Sequence, residues 1–233
     1  MTLDYGTAIV SAQKIRLMRK GNLVMLISLA VLLLNAVLAL VLALTQPISF
    51  YIHGGINTIF VLVLISGIAA IVGSIMYLVG LYGLREMQPE YKTAFTCEIV
   101  LIVAGLVMNF VGQDSFLGQF LNVARSLGGV AVIWLVVQGT RHLLEGQNQE
   151  QVLRQGELVW KLHLASAVLT ALLEFFPTSV ESNLWRIFML TISAVLAVFA
   201  FAVMIYYVMY LGWAAKALET AALGQRVEAL EEK

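Results

Sequence analysis

Six runs of apolar residues, each long enough to cross a bilayer, follow one another with only short polar segments between them. A helix of roughly 20 mainly apolar residues spans the hydrocarbon core. The candidate spans are 23–45, 58–82, 95–113, 123–143, 158–176 and 184–212. The first is an almost unbroken run of Leu, Val and Ala. The fourth is the weakest, with a short apolar centre, LGGVAVIWLVV. The sixth is long enough to tilt or to project past the bilayer. No polar stretch between them leaves room for a soluble domain. The chain is 61% hydrophobic and only 12% charged, against about half apolar and about a quarter charged in soluble domains. Runs of this length satisfy their own backbone as helices. The expected fold is therefore all-α and polytopic, with six transmembrane helices. Residues 23–213 form the transmembrane domain, flanked by an amphipathic N-terminal helix over 1–22 and a helical tail over 214–233.

Orientation follows from the basic residues. Of fourteen Lys and Arg, all but Arg125 and Arg186 fall on one side of such a six-span layout: Lys14 to Lys20, Arg85, Lys92, Arg141, Arg154, Lys161, Lys216, Arg226 and Lys233. The positive-inside rule makes that side cytoplasmic. An even number of spans then puts both termini in the cytoplasm, and the expected location is the cell inner (plasma) membrane. The N-terminus does not read as a signal peptide, because about 22 polar or amphipathic residues precede a run of full membrane length. In residues 1–20, apolar Ile9, Val10, Ile15, Leu17 and Met18 alternate with basic positions, which suits a helix lying among headgroups or meeting a cytoplasmic partner. The tail extends the sixth helix and is expected to fray after Gly224. Aromatic residues mark the interfaces: Phe50, Tyr51, Phe116, Phe120, Phe175, Phe176 and Trp185 at outer ends, Tyr82, Tyr91, Phe95, Trp160, Tyr210 and Trp213 at inner ends.

The spans also show signs of an internal repeat of three helical hairpins. Asn57, Asn122 and Asn183 each stand just before an even-numbered span, where asparagine is a good N-cap, and the last two open N-x-x-R motifs ending in Arg125 and Arg186. Odd-numbered spans carry polar or small residues at i, i+7, i+11, one face of a helix: Ser28, Asn35 and Ala39; Glu98, Gly105 and Asn109; His163, Thr170 and Glu174. A shift of 65 residues lays Glu98 on His163, Asn109 on Glu174 and Phe110 on Phe175. Parallel repeats are one route to transport folds. The second span has a stripe of its own, Ser66, Ala70, Gly73, Tyr77 and Gly80, read as a close helix-packing face.

Ionisable groups within a membrane are expensive and mark candidate sites. Asn35, Asn109, Thr170, Glu174, Arg125 and Arg186 are the candidate substrate-binding residues. Glu98 and His163 are candidate proton-relay residues, since imidazole changes charge near neutral pH. Arg125 and Arg186 could line an outer vestibule that attracts anions, or pair with Asp114 and Glu181. Net charge is zero, with 14 basic and 14 acidic residues, so nothing suggests nucleic acid. The lone Cys97 can build neither an internal disulfide nor a CxxC site. No G-x-S-x-G, H-E-x-x-H or P-loop is present, nor the P-x-[DE]-x-x-[KR] signature of mitochondrial carriers. No catalytic residue, cofactor or metal site is therefore expected. The expectation is a small transporter, channel or solute-binding membrane subunit with a polar path between odd-numbered helices. The alternative is a structural or signalling subunit that binds a protein partner at the cytoplasmic side and transports nothing.

Overall fold

The computed structural model describes residues 5–45, 56–111, 115–147, 149–174 and 183–231. The side chains of 38–45, 56–59, 109, 111, 116, 174, 183–184, 186 and 225–231 lie outside that description. Among the described residues all regular structure is helical: α1 (Tyr5–Thr45), α2 (Ile56–Leu84), α3 (Pro89–Val111), α4 (Phe116–Leu144), α5 (Glu150–Glu174) and α6 (Asn183–Glu231). Each is long and apolar enough to cross a membrane.

Each expected span falls on one of these helices, although the last two residues of 95–113 and of 158–176 lie outside the described residues, and every helix starts before its expected span. α1 runs unbroken through the expected boundary at residue 22. Nothing between Lys20 and Leu23 can stop a helix, since Gly21 alone costs only about 1 kcal/mol. Residues 5–22 are thus continuous with the first span. Ala8, Ala12, Ile15 and Met18 are fully buried in protein. Likewise the backbone of α6 passes Gly224 without fraying and stays helical to Glu231. Asn122 does not cap α4. The helix starts earlier, at Phe116, and the oxygen of Ser115 accepts the N–H of Gly118. Asn57 lies inside α2, and Asn183 is the first residue of α6, so the three asparagines share no capping position.

The helices pack in chain order, each on its neighbours, and α1 closes the ring against α6, which also touches α4. α1 and α6 run antiparallel. Arg16 is ion-paired with Glu219, and the Arg19 guanidinium lies beside Gly212. The start of α1 and the end of α6 therefore sit at one end, called the inner end below. The turns at that end are short. Pro89 opens α3, a position where its missing N–H costs nothing. Between α4 and α5 the chain reverses through Gly146, whose φ of 82° suits glycine.

α1 and α2 approach each other closely. Gly21 meets Gly73, and Gly80 lies on Met18, as the Ser66-to-Gly80 stripe leads one to expect. The rest of the core gathers in the inner half, around Leu81, Leu84, Tyr91, Val136, Leu144, Tyr210, Leu211 and Leu218. In the outer half apolar side chains such as Leu34, Phe60, Phe110, Ile187 and Leu190 are exposed from the protein and face where acyl chains would lie.

Two tyrosines assigned to the inner aromatic belt belong to this core instead. Tyr91 and Tyr210 are buried to within about 1%. Thr140 donates its hydroxyl proton to the Val136 carbonyl (2.8 Å). Its oxygen therefore accepts from Tyr91 (2.8 Å). Removing one donor is cheaper than stranding one in a dry core. Tyr91→Phe should cost about 1 kcal/mol, and Thr140→Val, which leaves the Tyr91 hydroxyl unpartnered, about 1–3 kcal/mol. Thermal unfolding in detergent checks this order; Tyr91→Phe as the costlier change would contradict it.

Candidate functional site

Further toward the outer end, α4, α5 and α6 diverge and leave a cavity of about 360 Å³. A cavity here follows from small residues facing one another. Gly129 and Ser126 of α4, Ser166 and Ala167 of α5 and Ala200 of α6 line it, and none can fill the gap. Polar groups converge there: Asn122 and Arg125 from α4, His163, Ser166 and Thr170 from α5. Hydroxyls in a helix can satisfy themselves on the preceding turn. The Thr170 hydroxyl does so, donating to the Ser166 carbonyl at 2.9 Å, which leaves its oxygen free to accept.

His163 is half-buried and held on two sides. Its Nδ1–H donates to the Val159 carbonyl (3.0 Å). Its ring stands edge-on to Tyr207, centroids 5.6 Å apart. In the neutral ring, the Nδ1 bond leaves Nε2 as a lone-pair acceptor, and Nε2 is buried with no hydrogen-bond partner.

Arg125 is exposed on the opposite wall. Its guanidinium lies over Gly105 of α3, 3.6 Å from where a Cβ would stand. Glycine at that position leaves the room the guanidinium occupies. Glu98, two turns along α3 on the same face, lies within electrostatic range of Arg125. It also acts on Tyr77 of α2 and Tyr207 of α6, whose hydroxyls are hydrogen-bonded at 3.0 Å. A carboxylate with a guanidinium in reach is far less costly in a bundle than a lone one.

The structure thus places Arg125, His163 and Thr170 on one cavity, with Glu98 outside its lining but within electrostatic range of Arg125 and Tyr207. The i, i+7 faces of α3 (Glu98, Gly105) and α5 (His163, Thr170) both turn inward. Asn35 is not among the cavity's lining residues. It is buried on α1, 5% exposed, with Nδ2 unpartnered. The side chains of Asn109, Glu174 and Arg186, and all of Asp114 and Glu181, lie outside the described residues. Glu98 acts electrostatically on Arg125 across the α3–α4 hairpin, and no ion pair of Arg125 is formed among the described residues. Sequence reasoning passed over Ser126 and Ser166 and read Tyr77 as packing alone. The signal for Tyr77 and Tyr207 was available: a tyrosine in mid-span needs a partner for its hydroxyl. Comparison with known protein families, with curated proteins and with solved structures finds no match to this chain.

Proposed function

We propose that this is a small solute-binding or solute-translocating membrane protein, set in the plasma membrane with both termini cytoplasmic. In this reading the α4–α5–α6 cavity takes a small polar solute with an anionic end. The cavity itself carries the reading. Arg125, His163 and the hydroxyl-bearing Ser126, Ser166 and Thr170 line one groove between α4, α5 and α6, although such groups are costly in a membrane unless they serve a site. Arg125 would hold the anionic end by paired N–H donors. His163 Nε2 and the Thr170 oxygen would accept from donors on the solute. The bias of basic residues toward the inner end supports the orientation.

The competing reading, a partner-binding subunit with a dry interior, is separated by solvent access. In a Cys97→Ser background, Ser166→Cys should react with a membrane-impermeant thiol reagent added from outside the cell. Leu164→Cys, which is exposed toward lipid, should not. Lys233→Cys should react only once the membrane is breached. An unreactive Ser166→Cys would mean a dry interior and would sink the solute-path reading; a reactive Lys233→Cys in intact cells would overturn the orientation.

A further inference from the structure

A second cavity lies at the inner end, away from the first, where the start of α5 and the projecting part of α6 separate. It measures about 270 Å³ and is lined by Gln149, Val152 and Gln155 on one side and Trp213, Lys216 and Thr220 on the other. No acidic residue is among its described lining residues. Lys216 is exposed and makes no ion pair among the described residues, since the nearby Glu219 is held by Arg16. Gln155 Oε1 is buried and accepts no hydrogen bond. The Thr220 hydroxyl donates to the Lys216 carbonyl at 3.0 Å, so its oxygen too can only accept. The cavity therefore offers one cation, carboxamide N–H donors, two acceptors without donors, and an indole wall.

Its level is that of the headgroups. Arg19, at the inner end of the apolar part of α1, lies beside Gly212. Trp213 is the next residue, and Lys216 stands about one turn further out. Trp160 and Lys161 mark the same end of α5, with Lys161 paired to Glu157 at 3.5 Å. Indole rings and basic side chains collect at this depth in membrane proteins.

We infer that this cavity binds a phosphoryl group carrying a hydroxylated substituent, supplied by an anionic lipid headgroup of the phosphatidylglycerol type. Lys216 and the Gln149 amide hold the phosphate. A headgroup hydroxyl donates to Gln155 Oε1. The apolar wall of Val152 and Trp213 leads the acyl chains back toward the bilayer. This site is independent of the Arg125 cavity and of the function proposed for it.

The test uses the full chain purified in detergent, titrated with phosphatidylglycerol or phosphatidylcholine and read by native mass spectrometry and thermal unfolding. Phosphatidylglycerol should bind at least tenfold more tightly than phosphatidylcholine. Lys216→Gln and Gln155→Leu should each weaken it at least tenfold, while Lys161→Gln leaves it unchanged. Equal binding of the two lipids, or an unaffected Lys216→Gln, overturns the proposal. Glycerol 3-phosphate binding as tightly as the lipid would uphold the phosphoryl chemistry and overturn the lipid as its source.

Discussion

Gly21→Ala, the addition of one methyl group, is expected to cost about 3 kcal/mol, the upper end of the range for overpacking. A Cβ on Gly21 would stand 2.5 Å from the Gly73 carbonyl oxygen and 2.7 Å from the Tyr77 backbone nitrogen. Both are main-chain atoms of a helix and cannot swing aside as a side chain could. α1 and α2 would have to separate along the pairing. Within a bilayer such pairing rests on van der Waals contact rather than on hydrophobic burial, so separation loses most of what holds it. Larger residues at Gly21 should prevent folding. Gly67 on α2 is the control. A Cβ there meets nothing within 4 Å, and alanine should stabilise the helix by up to about 1 kcal/mol. Unfolding in detergent measures both; similar costs for Gly21→Ala and Gly67→Ala would show that the close approach is not what stabilises the hairpin.

Arg125→Ala should have two separable effects. It removes a cation that acts on Glu98 and the cation of the α4–α5–α6 cavity together. Stranding one partner of a buried charge pair costs about 3–5 kcal/mol. Glu98 is only half-buried, and screening lowers that to about 1–2 kcal/mol. Glu98→Gln in the same chain should restore the lost stability, because no unpaired carboxylate remains. It should not restore ligand binding. Thermal stabilisation by a panel of small carboxylates, phosphates and sulfate reads the second effect. A ligand present at about 100 times its Kd adds roughly 2.7 kcal/mol. Losing a charge-assisted contact worth about 2–5 kcal/mol weakens affinity thirtyfold or more. An anion that stabilises the wild type and the Arg125→Ala/Glu98→Gln chain equally would remove Arg125 from the site.

What the sequence could and could not reveal divides along physical lines. The number and order of the helices follow from run length, because a bilayer needs a fixed span of apolar residues and the short connections leave no alternative. Helix ends were harder. Residues 116–122, FLGQFLN, look like loop, yet Ser115 supplies the cap and the helix begins at once. α1 and α6 run past their expected ends because no proline stands there and packing outweighs a single glycine. The inward faces of α3 and α5 were legible from the i, i+7 spacing, which geometry alone dictates. Their convergence on Arg125 was not, because it depends on which helices become neighbours. Tyr91 and Tyr210 were misplaced for a related reason. An aromatic ring at the end of an apolar run suits the interface as well as a packed core, and the choice rests with Thr140, 49 residues from Tyr91.

The closure of the ring has a consequence for how the chain comes to be assembled. α1 can meet α2 as soon as both have left the ribosome, since they are adjacent in sequence. Its other face, including Arg16 and Arg19, is matched by Glu219 and Gly212 near the opposite end of the chain. Domains form in the order of synthesis, so that face must wait until α6 has been made. The buried residues at the start of α1 would be unprotected throughout that interval. Closure then waits on the synthesis of α6, and a nascent chain cut short before α6 would display this surface to the cell's quality-control machinery.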